Sequence, residues 1–175
     1  GNSAYRSAGG IYIGATKNVT NKNCSFVNNS LRSYIDFNDG GGAAAKFYGI
    51  HLVLSINCLY FGNQGSMKGG AVILEMIFKN YLEKNAVYKD NYAALKGGAI
   101  WAHKSRHLQF SFSIFDDNFA NYSGGTVFGK QISSLINYEI RVTNSTSYRG
   151  GGVFSLIDIK KVHNLFSSFK ENRAG

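Results

Sequence analysis

Few side chains in this sequence are equipped for chemistry, and their spacing gives each a definite test. Asp116-Asp117 is the one adjacent carboxylate pair. A glycosidase needs two carboxylates facing one bond, and a lyase needs an acidic cluster that holds calcium beside a base. Here the pair fills the two variable positions of a recurring aromatic-x-x-Asn motif, so turn filling is the expected role and no catalytic residue is assigned. His51 and His107 each lie ten residues after the start of a Gly-Gly pair, with Lys79 between them in phase. Two coils would separate them by roughly 10 Å, too far for one zinc at about 2 Å from each. No metal site and no cofactor is expected. Cys24 and Cys58 each stand two residues before a motif aromatic, in a column continued by Ala86, Ser113 and Ser167. Adjacent rungs about 4.8 Å apart lie within disulfide range. Parallel in-register side chains run alongside each other, however, so stacked buried thiols are favoured and a disulfide stays open. Two cysteines exclude a disulfide-dense miniprotein and a four-cysteine zinc site.

Lys68, Lys96 and Arg149 each precede a Gly-Gly pair. Stacked, they form a basic stripe that Ser123 interrupts. The chain carries a net charge of +9, and such a stripe attracts an acidic glycan, an anionic surface or an acidic partner. Against this stands a merely solvated corner. Nucleic-acid binding is not expected, because the basic residues do not cluster with exposed aromatics and most aromatics belong in a core. Five Asn-x-Ser/Thr sequons occur, at Asn18, Asn23, Asn28, Asn121 and Asn144. They are glycosylation acceptors only in a secreted chain; Asn121, in a loop, is the foremost.

The elements that position these groups are repeats. Gly-Gly pairs stand at Gly9-Gly10, Gly41-Gly42, Gly69-Gly70, Gly97-Gly98, Gly124-Gly125 and Gly150-Gly151, a period of 26 to 32 residues. An aromatic-x-x-Asn motif shares that period, with turn asparagines Asn29, Asn63, Asn91, Asn118 and Asn172. Asn144 takes this slot in the fifth unit, six residues before Gly150, with Arg141 in the aromatic position. The wide spacing after Asn29 predicts an extra loop over 31–38. Short β-branched and aromatic runs broken by Gly and Asn read as strands, and no window holds a helical period long enough for a helix. Strands in so short a unit pair with the same strand of the next unit. The expected fold is all-β, a single right-handed parallel β-helix over 1–175 with five to six coils. Gly-Gly supplies positive φ and close backbone approach at a corner. Asn suits a left-handed turn and ladders along the axis. Proline is absent from the 175 residues, as central strands that need every N–H require.

These alternating motifs resemble the FxxN/GGA[ILV] repeats of polymorphic outer-membrane proteins and related β-helical surface adhesins. Gly69-Gly70-Ala71-Val72 and Gly97-Gly98-Ala99-Ile100 fit the second motif. Phe26/Asn29, Phe115/Asn118 and Phe169/Asn172 fit the first, with Tyr60 and Tyr88 as variants. The resemblance implies a secreted β-helical adhesin or passenger segment at the cell surface.

Gly1 and Gly175 both fall mid-unit, which leads us to expect a segment of a longer solenoid or a module that stacks end to end. The expected partners are therefore flanking coils or another copy, together with surface glycans or a cell-surface protein. No stretch is apolar enough to span a membrane as a helix. The functional expectation is a non-enzymatic stalk, fibre or adhesin segment. The alternative is a β-helix that binds or acts on acidic polysaccharide.

Overall fold

A computed structural model of the chain describes residues 2–4, 8–31, 42 and 44–175. The rest of the loop expected after Leu31 lies outside the described residues, as does Gly41. Three parallel sheets run through the described chain, and successive coils stack to form a β-solenoid. The long sheet contains Ala45–Ile56, Val72–Lys84, Ile100–Ser111, Val127–Tyr138 and Phe154–Leu165. Ile11–Gly14 and Asn18–Lys22 together pair with Ala45–Ile56. The middle sheet has six strands, Ser25–Val27, Leu59–Phe61, Val87–Lys89, Ile114–Asp116, Arg141–Thr143 and Ser168–Lys170, one for each coil. The short sheet is made of two-residue strands from Ser3–Ala4 to Arg173–Ala174.

Left-handed residues make the corners, because a closed coil must turn sharply while its strands stay extended. The long strand bends at Ala15, Gly49, Met76, Lys104, Gln131 and Asp158. A second corner follows it, at Asn23, Asn57, Asn85, Phe112, Glu139 and Phe166. The third takes Asn28, Gly62, Asp90, Asp117, Asn144 and Glu171. Gly69, Gly97, Gly124 and Gly151 make the fourth, with φ between 55° and 70°. The glycine after each has a different reason to be small. A Cβ on Gly98 would stand 2.1 Å from the Gly125 carbonyl oxygen and 2.6 Å from the Phe119 nitrogen, both backbone atoms.

The pairing corrects three sequence expectations by one residue. Val127 pairs with Phe154, so the fifth-to-sixth-coil glycine pair is Gly151-Gly152, not Gly150-Gly151. Phe115 pairs with Val142, so Val142 fills the aromatic slot and Arg141 faces the neighbouring column. Asn144 accordingly sits at an exposed left-handed corner, and Ser145 takes its ladder position, donating its N–H to Asn172 Oδ1 at 2.9 Å. The motif spacing misplaced all three because Gly150-Gly151-Gly152 is a run of three glycines, and counting back from its first two lands on Asn144 and Arg141. A separate irregularity is the one extra residue of the 13-residue strand Val72–Lys84, where the register slips. In the first two coils the glycine pairs are also out of phase. Ile11 pairs with Ala45, which pairs with Val72, so Gly9-Gly10 falls one position late and Gly42 takes the place of Gly69.

Two ladders fill the interior. The rings of Phe26, Tyr60, Tyr88 and Phe115 stack within 4° to 9° of parallel, with centroids 4.4 to 5.2 Å apart. Asn29, Asn63, Asn91 and Asn118 are buried beside them. Asn91 Nδ2 donates to Asn118 Oδ1 and to the Tyr60 carbonyl, each at 3.0 Å, and Asn91 Oδ1 accepts from both the N–H and the amide of Asn63. Each amide thereby meets backbone groups that the corner takes out of the sheets.

Candidate functional site

The basic corner has more structure than its sequence suggested. Lys68, Lys96, Ser123 and Gly150 form one column of parallel bridges. Arg149 belongs to the adjoining column, where its N–H donates to the Tyr122 carbonyl. The stripe is thus two cations in register plus one offset toward the short sheet. Strand alternation turns Lys46, Ile73, Trp101 and Phe128 outward, one above another. Ile73, Trp101 and Phe128 form a small apolar cluster separate from the main core. The lysines cover it. Lys68 Nζ stands 4.7 Å from the Trp101 ring centre, and Lys96 Nζ stands 4.5 Å from that of Phe128. Their stems bury apolar surface while their ammonium groups meet the ring faces.

The same face carries exposed aromatics. Tyr122 is 42% exposed and Tyr148 62%. Arg149 lies 5.3 Å and Lys96 5.6 Å from the Tyr122 ring centre. Tyr92 stacks on Phe119, and Tyr148 meets Phe119 edge-on. Asn121 donates its amide to the Tyr92 hydroxyl at 2.8 Å. The expectation that basic residues stand apart from aromatics is therefore overturned. Alternation around the fourth corner puts Trp101, Phe128 and Tyr122 outside the core, a placement the motifs do not encode. The segments 64–70, 92–98, 119–125 and 146–152 that build this face contain Lys68, Lys96 and Arg149 and no Asp or Glu.

The remaining sequence candidates separate. Asp116 accepts a hydrogen bond from Thr143 Oγ1 at 2.5 Å and pairs with Lys89 at 3.3 Å. The Thr143 hydroxyl, then Lys89, hold its carboxyl below the usual range, while burial and the charges of Asp116 and Asp90 raise Asp117. Asp117 is a left-handed corner residue, so the two carboxylates serve a strand end and a turn. His51 and His107 do not share a column. The register slip sets His107 opposite Asn80 and Ser134, whose Oγ lies 2.9 Å from His107 Nδ1, while His51 meets the Phe78 ring. Cys24 and Cys58 flank paired residues of adjacent coils and are both free thiols. Cys58 is buried; burial, then Cys58, raises the Cys24 thiol. All five sequon asparagines, Asn18, Asn23, Asn28, Asn121 and Asn144, are exposed. The groups of His, Cys, Asp and Glu form no metal cluster among the described residues.

One buried group escaped the motifs. Glu83 is 2% exposed, in a column shared with Asn21, Ser55, Phe110 and Asn137, two residues before each second corner. Its Oε2 accepts from the hydroxyls of Tyr81 and Tyr88 at 2.5 and 2.6 Å, and its Oε1 meets no polar partner. Burial raises its carboxyl from 4.5 to about 7 against the pull of both hydroxyls. Burial, then Glu83, pushes Tyr81 and Tyr88 well above the ordinary phenol range. The signal in the sequence was a polar residue two before the corner Asn in each of the first three coils, Asn21, Ser55 and Glu83. No protein-family model, curated protein or solved structure matches the chain.

Proposed function

We propose that this chain is a non-enzymatic structural or adhesive segment of an extracellular or cell-surface protein, serving as a stalk, fibre or adhesin. The observation that carries this reading is the axial continuity of the structure. Three parallel sheets, an aromatic stack and an Asn ladder link successive coils through the interior, giving a stiff body of roughly 25–30 Å over six coils. The motif resemblance to surface-adhesin repeats and the five exposed sequons support the location, and glycosylation is proposed at those sites. The sixth coil exposes Val162, Leu165, Phe166 and Phe169, which suits stacking against a further coil of the same chain or of another copy.

The test is a labelled antibody against the 31–38 segment, applied to intact and to permeabilised cells that make the parent protein. The expected result is equal labelling in both. Labelling only after permeabilisation overturns the surface role. Turnover of polygalacturonate that disappears in Asp116→Asn/Asp117→Asn overturns the non-enzymatic one.

A further inference from the structure

We propose that the face around Lys68, Lys96, Arg149, Tyr122 and Tyr148 binds an extended acidic polysaccharide laid along the solenoid axis. This inference stands independently of whether coils stack end to end.

Three observations lead to it. The first is charge. Four successive turn segments place three cations and no carboxylate on one face, and the nearby outer-strand Glu75 is engaged with Lys46 at 3.6 Å. A one-signed surface on a stiff body recruits an opposite polyanion.

The second is spacing. Lys68 and Lys96 are bridged in adjacent coils, so their backbones repeat at about 4.8 Å. A chain of sugar acids presents one negative group at a comparable interval, and a parallel solenoid is a ruler for such a chain.

The third is the state of the rings. Trp101 and Phe128 are only 7% and 3% exposed beneath their lysines. The face of Tyr122 is met by Arg149 and Lys96. Stacking of unpaired bases needs free ring faces. These rings instead hold the cations in place, and the exposed Tyr122 and Tyr148 add hydroxyls, which suits sugar hydroxyls flanked by carboxylate or sulfate. An acidic glycan is therefore favoured over a nucleic acid. The exposed ring of Tyr148 and the Asn121–Tyr92 hydrogen bond extend the polar and aromatic surface from the third coil to the fifth.

The experiment is titration calorimetry of the whole chain with polygalacturonate (carboxylate), heparin (sulfate), neutral dextran and a single-stranded oligothymidine. The expected result is binding to one or both acidic polysaccharides, weakening as salt rises, and none to dextran. Lys68→Gln/Lys96→Gln/Arg149→Gln should weaken it about tenfold, the sum of two half-buried and one exposed ion contact. Lys22→Gln/Lys79→Gln/Lys161→Gln removes equal charge from exposed positions of the long sheet and should change affinity less than about twofold. Should the triple variant fold poorly because its lysine stems shelter Trp101 and Phe128, Arg149→Gln alone touches an exposed side chain. It should weaken binding about two- to threefold. The proposal is overturned by equal loss in the two triple variants, by binding to dextran, by tighter binding of oligothymidine, or by no binding to either acidic polymer.

Discussion

Glu83 makes the stability of this solenoid depend on pH in a direction opposite to that of a salt-bridged carboxylate. Its proton is held to about 7 in the folded chain, against 4.5 for an ordinary glutamate. Between those values the folded state binds more protons than the unfolded one, so stability falls as pH rises. The contribution is fully present below about 4.5, is lost progressively toward 7, and is constant above. A rise of that size, at 1.36 kcal/mol per pH unit, amounts to about 3 kcal/mol. The cause is burial, which outweighs the two tyrosine hydroxyls donating to Oε2 and leaves Oε1 without a hydrogen-bond partner.

Glu83→Gln keeps the shape and an acceptor for Tyr81 and Tyr88 but does not titrate. We expect the stability of the variant relative to the parent to rise by about 3 kcal/mol between pH 4.5 and pH 8. For a chain of this size that is a relative shift in Tm of about 6–12 °C. Thermal melts followed by circular dichroism at the two pH values, for both proteins, measure it directly. Histidines and surface carboxylates titrate alike in both chains and cancel in the difference. A parent-to-variant difference that stays constant from pH 4.5 to pH 8 refutes the buried-carboxyl reasoning. So does one that moves the other way.

Other consequences follow from the corners and ladders. Gly98→Ala drives a Cβ into two backbone atoms and should cost about 3 kcal/mol in urea unfolding, whereas Gly150→Ala, whose nearest neighbour would be Ser123 Cβ at 3.7 Å, should be neutral within about 0.5 kcal/mol. Asn91→Ala strips partners from the buried Asn63 N–H and the Tyr60 carbonyl. It should lower stability by about 3 kcal/mol in the same assay. Phe112 holds φ of 53° at the corner where Asn23, Asn57 and Asn85 form an amide ladder. Phe112→Asn should raise stability by about 1 kcal/mol, since Asn tolerates that conformation far better; a lower Tm would show that the ring's contacts with Lys84 and Tyr138 outweigh the strain.

The repeat was legible because its rules are local. A left-handed corner favours Gly or Asn, a backbone approach excludes any Cβ, and a slot one coil apart repeats its aromatic. Those constraints act within one unit, so spacing exposes the solenoid and predicts the jobs of Gly97, Gly98 and Tyr88 and the ladder of Asn91, while the left-handed turn expected of Asn91 falls to Asp90. Absolute register was not legible. One extra residue inside Val72–Lys84 shifts nothing in the motifs around it, yet it separates His51 from His107. At the far end, hydrogen bonding across coils chose Gly151, Val142 and Ser145 over neighbours that fit the spacing equally well. The two sites of greatest chemical interest depended on tertiary structure for the same reason. Which face a residue takes is set by alternation along a strand, but which residues then meet is set by pairing between coils. That pairing placed Lys68 over Trp101 and Lys96 over Phe128, and it enclosed Glu83 with Tyr81 and Tyr88 beyond the reach of water.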